Sequence, residues 1–232
     1  MFKKAIKYFR DVFQSEKQKE TEYYKKLFIE TPYWNGTNPN EEERIRWEII
    51  ETFIKSISLE KNIGSYNILD LGCGRGWLSN LLSSYGNVVG LEPIEPVVEY
   101  ARKIFPGINF ICGTSKTLLK QNKHKQFDLI VSSEVIEHIP DKKKQQYLKD
   151  IFQLLNDKGH LILTTPRKEA QQEWIKYGDI NQPIEDWISE SELESLLISN
   201  NFIKVKLDRF SISPIPSAPK IEIYQLWLFQ KK

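Results

Sequence analysis

The sequence predicts an α/β protein: a Rossmann-like, doubly wound, mostly parallel sheet with a C-terminal antiparallel hairpin and an N-terminal helical extension. Three observations carry this prediction. From Tyr66 to Pro166, five short runs rich in β-branched residues (YNILDLG, NVVGLE, INFICG, FDLIVSS and HLILTTP) alternate with segments of helical periodicity. Strands and helices in alternation join through right-handed crossovers into a parallel sheet covered on both faces. Two further runs, FIKVKLDRFSI and IEIYQLWLF, have only the Pro-rich SPIPSAP between them, so they pair as an antiparallel hairpin at the sheet edge. Ahead of Tyr66 the apolar spacing is helical.

Taken in order, Phe2, Ile6, Phe9 and Phe13 recur at helical spacing with Lys3, Lys4, Lys7 and Arg10 on the other faces, a basic amphipathic helix. Packing over the body of the domain is its expected role, and peripheral contact with an anionic membrane surface is the alternative. TPYWNGTNPN has loop composition. Asn40 with Glu43 three residues on forms a capping box, opening a helix whose apolar face is Ile45, Ile49, Phe53, Ile54 and Ile57. Residues 1–60 are therefore a helical extension or cap, and 61–232 the main domain. The run Lys142–Lys144 falls in the solvated first turn of the helix after IPD, and SESELESLLISN is the helix before the hairpin.

A chain of 232 residues suits one α/β domain with elaborations. Its 33 basic and 31 acidic residues leave a net charge of +2, too little to steer a polyanion, so a nucleic-acid partner is not favoured. Cys73 and Cys112 stand at non-adjacent strand ends, which argues against a disulfide. No apolar run reaches the ~18 residues of a membrane span, and the N-terminus lacks the apolar core of a signal peptide; the expected location is the cytoplasm.

The chemistry begins at ILDLGCGRGW. In a dinucleotide fingerprint starting at Gly72 and Gly74, the third glycine belongs at 77, where this chain has Trp77. Asp70, two residues before the turn, would also repel a pyrophosphate, and no Gly-Lys-Ser/Thr follows as in a phosphate loop. A phosphate-free cationic ligand suits the turn better: S-adenosylmethionine, with its ammonium and sulfonium. Gly72, Gly74 and Gly76 let bare backbone lie against its methionine part, and Asp70 complements its positive end. Glu92 ends the next strand at the same edge, placed to accept both ribose hydroxyls.

LDLGCGRG, VVGLEP and SSEVIEHIP together resemble the class I S-adenosylmethionine-dependent methyltransferases, over roughly residues 64 to 230, and within them the ubiquinone-type O-methyltransferases. The resemblance implies methyl transfer to a small-molecule acceptor. It also implies an acid after the third strand for the adenine amino group, whereas the chain reads FICGTSKTLL, leaving Thr114, Ser115 or a backbone carbonyl. Ile94 either packs on the adenine or belongs to the core. At the end of the fourth strand, Ser133, Glu134 and His138 face the reacting centre, with His138 the candidate base for a hydroxyl acceptor. Glu134, Glu137 and His138 also resemble the metal-ligand cluster of the ubiquinone-type enzymes and of enzymes methylating the terminal 2′-hydroxyl of small RNAs. A divalent metal is thus open but not favoured, and the RNA reading lacks a further downstream His after His160. Tyr33, Trp34, Trp174, Tyr177 and Trp187 are candidates for the acceptor wall or for core packing. A nicotinamide-dependent oxidoreductase and a non-catalytic cofactor-binding protein are the remaining alternatives.

Overall fold

The structure is a computed structural model that describes residues 16–57, 66–121, 127–178 and 182–232. The basic amphipathic stretch Phe2–Phe13 and His124 lie outside the described residues. All seven expected strands form: β1 (Tyr66–Leu71), β2 (Gly86–Glu92), β3 (Asn109–Cys112), β4 (Phe127–Ser133), β5 (Leu155–Pro166), β6 (Phe202–Ile212) and β7 (Ile221–Lys231). They build one sheet in the order β3-β2-β1-β4-β5-β7-β6. The first five are parallel, and β7 runs antiparallel between β5 and β6. The hairpin is therefore at the edge, as its lack of an intervening helix requires, with its second strand turned inward.

The chain leaves β1 toward β2 and β3, then returns to lay β4 on the other side of β1. Such a reversal opens a crevice at the carboxyl ends of the strands, because the loops leaving β1 and β4 diverge. Side chains on β1 alternate between faces, and two cores follow from that alternation. Ile68 lies with Leu129, Val131 and Ile162 under the N-terminal helix α2 (Glu41–Ile57; α1 is Glu16–Lys25) and under α3 (Trp77–Leu82). Leu69 lies on the opposite face with Leu148 and Ile151 of α6 (Asp141–Leu154) and Leu193 and Leu197 of α8 (Glu190–Ser199). Between these stand α4 (Glu95–Ile104), α5 (Ser115–Lys120) and the short α7 (Gln171–Trp174). Cys73 and Cys112 are both free thiols.

Two local readings shift. The buried stripe of α2 is Arg46, Ile50, Phe53, Ile54 and Ile57, with Ile45 and Ile49 only half-buried, so the helix is rotated about one residue from the expected face. An arginine occupies the first position of an otherwise apolar stripe because it reaches the site, as shown below. In the Lys142–Lys144 run, Lys144 is buried rather than solvated; its ammonium donates to Asp141 Oδ1 at 2.6 Å and to the Asp186 carbonyl at 2.5 Å.

The predicted capping box is present: the Asn40 amide donates to Glu43 Oε2 and the Glu43 amide to Asn40 Oδ1, both at 2.9 Å. Glu43 does more than cap. Its two oxygens receive Arg75 Nη1 at 2.6 Å and Nη2 at 2.7 Å, with both side chains almost wholly buried. Arg75 also donates to the carbonyls of Gly36 and Asn38. Breaking one partner of a buried pair strands the other charge, at a cost of about 3–5 kcal/mol. Glu43→Ala is accordingly expected to lower unfolding free energy in urea by about that amount; a loss below about 1 kcal/mol would show the pair to be dispensable.

Candidate active site

The turn after β1 is held by glycines in left-handed backbone: φ is +79° at Gly72, +51° at Gly74 and +87° at Gly76. The space around each differs. A Cβ on Gly72 would lie 2.4 Å from Val135, and one on Gly76 2.5 Å from Phe110, so these two positions make room for neighbouring protein. A Cβ on Gly74 would instead meet the ring of Phe28 at 3.1 Å, so this glycine faces the N-terminal segment.

Glu92, at the tip of β2, accepts from the Gly74 amide at 3.2 Å through Oε2 and from the Ile94 amide at 3.0 Å through Oε1. The turn thus orients the carboxylate while each oxygen keeps a second lone pair for a ligand hydroxyl. Burial pushes its carboxyl up to about 7, against the two amide bonds. Asp70 is buried beneath the turn and accepts from Ser79 Oγ at 2.5 Å; burial likewise raises it to about 7. Ile94 is buried at the start of α4. Thr114 is exposed as the N-cap of α5, its amide donating to Thr117 Oγ1, whereas Ser115 is buried and donates to Asp150 on α6. Ser115 is thus committed to packing.

Past β4 the backbone enters a left-handed conformation at Glu134, φ +56°, unusual for a side chain of this kind. Its amide donates to the Thr164 carbonyl and its Oε1 accepts from Thr164 Oγ1 at 2.6 Å, while Ser133 Oγ lies 3.0 Å from that same hydroxyl. Arg46 Nε stands 3.5 Å from Glu134 Oε1, and Arg46 Nη2 donates to Glu42 at 2.8 Å. Tyr224 also donates to Glu42 and lies under the Arg46 guanidinium. Burial pushes the Glu134 carboxyl up to about 8 against the pull of Arg46. Glu137 is buried, accepts from Thr165 Oγ1 at 2.9 Å, and is raised by burial to about 8.

His138 ends a 3₁₀ turn, Ile136–His138. Its Nδ1 donates to the Ile184 carbonyl at 2.9 Å, which leaves Nε2 as the free ring nitrogen, 3.9 Å from Glu137 Oε1. Glu134, Glu137 and His138 each turn to a different protein partner, and among the described residues no group of three or more His, Cys, Asp or Glu is arranged to hold a metal ion. Of the candidate aromatic wall, Trp187 is buried in the core and Trp174 and Tyr177 pack against it; Tyr33 is exposed and meets Trp34 edge to face.

Residues that sequence reasoning missed are Arg46, Thr164, Thr165, Glu185, whose carboxylate lies 3.6 Å from His138 Nδ1, and the pair Tyr24 and Phe28. Two signals were available: an arginine in the register of an apolar stripe, and two hydroxyls closing an apolar strand.

A sheet of this order, with a glycine turn and an acid at neighbouring strand tips, defines a class I S-adenosylmethionine-dependent methyltransferase. The chain belongs to the methyltransferase domain family, whose model matches residues 39–207. It is 27% identical over 230 residues to a ubiquinone biosynthesis O-methyltransferase of Pelagibacter ubique, covering 88% of this chain and 92% of that one. To the enzyme of the same description from Rickettsia typhi it is 33% identical over 128 residues, 53% of this chain and 50% of the relative. Among solved structures it is similar to the N-methyltransferase NodS from Bradyrhizobium japonicum in complex with S-adenosyl-L-homocysteine, with a TM-score of 0.70 at 16% identity over 92% of this chain and 98% of that one, a likeness of fold. The nicotinamide alternative falls away. Among the described residues no helix is long and apolar enough to cross a membrane.

The raised carboxyls of Asp70, Glu92, Glu134 and Glu137 give a pH dependence. Their ordinary range is near 4, so the folded protein retains protons that the unfolded chain has released. The stabilisation is complete below about pH 4 and lost as pH rises through about 7 to 8. The thermal midpoint of the ligand-free protein is expected to fall between about pH 5 and about pH 8; differential scanning calorimetry showing a flat or rising midpoint across that range would contradict it.

Proposed function

We propose that this methyltransferase acts on a hydroxyl of a small-molecule acceptor, with His138 as base. The observation that carries this reading is the tautomer: with Nδ1–H committed to Ile184, Nε2 is the nitrogen able to take a proton at the carboxyl edge of β4. The ubiquinone biosynthesis O-methyltransferases among the relatives point to oxygen as well. S-adenosylmethionine, when bound, supplies an electrophilic methyl on a sulfonium, so the protein's task is alignment and removal of the hydroxyl proton.

The residues fit that cofactor. Glu92 takes the ribose hydroxyls through its free lone pairs; Gly72, Gly74 and Gly76 shape the turn for the methionine part; Asp70 contributes negative field from beneath rather than a direct contact. Arg46 Nε is buried and makes no hydrogen bond among the described residues. It stands 3.5 Å from Glu134 Oε1, an ion pair that makes no hydrogen bond, and the cofactor's own carboxylate is the group that would supply one. Ile94 borders the adenine and Thr114 stands at the β3 tip for its amino group. Ser133 and Glu134 hold the acceptor side, Glu134 fixed by Thr164. Residues 1–60 serve as a cap on the catalytic domain 61–232, which works in the cytoplasm on a small molecule, with no nucleic-acid partner.

Assay of methyl transfer from labelled S-adenosylmethionine to a panel of phenols, catechols and amines is expected to give product with hydroxyl acceptors; product with amines alone would overturn the reading. Glu92→Ala is expected to weaken S-adenosylhomocysteine binding by about 2–3 kcal/mol in calorimetry, and an unchanged affinity would remove Glu92 from the site. His138→Gln is expected to lower turnover by about 10²- to 10⁴-fold with cofactor affinity retained; full turnover at neutral pH would exclude it as base.

A further inference from the structure

The N-terminal segment meets the site through aromatic rings. Phe28 lies on a single π turn, Lys26–Glu30, a geometry frequent at functional positions. Its ring covers Gly74, the one glycine of the turn whose missing side chain faces that segment. Tyr24, one turn earlier, stacks on Phe28 with centroids 6.0 Å apart and planes 13° apart, and meets His138 edge-on at 5.9 Å. Burial and the negative field of Glu137 and Glu92 push its phenol up, and its hydroxyl makes no hydrogen bond among the described residues.

The stack is placed by the glycine turn itself. Arg75, between Gly74 and Gly76, holds the Gly36 carbonyl at 2.7 Å. Tyr100 on α4 holds the Asn35 carbonyl at 2.8 Å, Asn35 Nδ2 donates to the Ile29 carbonyl, and Thr31 Oγ1 to the Lys26 carbonyl. The π turn that carries Phe28 is thus tied, through the loop after it, to the same backbone that Phe28 covers.

We propose that Phe28, packed directly on Gly74, and Tyr24, beside His138, form the outer wall of the cofactor site, so that S-adenosylmethionine lies alongside the glycine turn and is flanked by an aromatic stack supplied by the N-terminal segment. The inference rests on the cofactor reading of Glu92 and the turn. A sulfonium beside aromatic faces, in a site these rings shield from water, gains cation–π attraction that the neutral thioether of S-adenosylhomocysteine does not.

The test is calorimetry on the full chain with S-adenosylmethionine and S-adenosylhomocysteine, for Phe28→Ala, Phe28→Leu, Tyr24→Ala, Tyr24→Phe and Glu92→Ala. Both alanine variants are expected to bind S-adenosylmethionine on the order of tenfold more weakly. Tyr24→Phe, which keeps the ring, is expected to stay within about twofold of the parent. Phe28→Leu preserves apolar volume but not the aromatic face, so it should bind S-adenosylmethionine less tightly relative to S-adenosylhomocysteine; a purely structural Phe28 would leave that ratio unchanged, and an unchanged ratio overturns the proposal. Parent-like binding by both alanine variants with affinity lost in Glu92→Ala also overturns it and leaves the cofactor reading standing. Parent-like binding by Glu92→Ala as well removes both.

Discussion

The buried contact between Arg75 and Glu43 is the constraint on which the site's construction depends. Arg75 interrupts the glycine turn, and its guanidinium is fully buried. A charge so placed needs a paired, hydrogen-bonded partner, and the bidentate geometry of a carboxylate provides one. Because that carboxylate also caps α2, and because Arg75 holds two carbonyls of the preceding loop, a single side chain fixes the N-terminal elements against the turn. The helix that carries Arg46 and the loop that follows the π turn of Phe28 are both held by it.

Around the carboxyl edge Asp70, Glu92 and Glu137 are buried and Glu134 largely so, and loss of water raises the carboxyl of each. Such a concentration of acids without matching cations is stable only because each is hydrogen-bonded: Asp70 to Ser79, Glu92 to two amides, Glu134 to Thr164 and Glu137 to Thr165. Arg46 is the cation among them. Burial alone would lower its affinity for a proton, yet Glu134 and Glu42 beside it carry it upward, so it remains charged.

The turn after β4 is organised by neighbouring strand ends. Glu134 occupies a left-handed conformation that costs of order 1–3 kcal/mol, held by its amide on Thr164 and its carboxylate on the same residue's hydroxyl. This turn directs the following 3₁₀ segment so that Ile136 enters the core while His138 remains half-exposed with one nitrogen committed. The His138 ring is thus positioned by a main-chain carbonyl 46 residues away in sequence.

By itself the sequence determined the strands, their parallel and antiparallel character, the capping box at Asn40 and the acids at the strand tips. Each of these depends on local periodicity or on a short spacing whose physics is the same in any context. It also marked the glycine turn, which begins one position past β1, and His138, five positions past β4, since residues that close behind a strand end lie near the sheet edge. Tertiary structure alone decided what each position meets there. Ile49 lost its place in the buried stripe of α2 to Ile50, Lys144 was buried by Asp186, and Trp187 went to the core, because burial depends on which surface arrives opposite. Gly72 and Gly76 proved to accommodate Val135 and Phe110, from segments 63 and 34 residues later in the chain. Arg46, Thr164, Tyr24 and Phe28 reach the crevice from elements that carry no local motif, and only the packing of those elements around the turn brings their side chains into it.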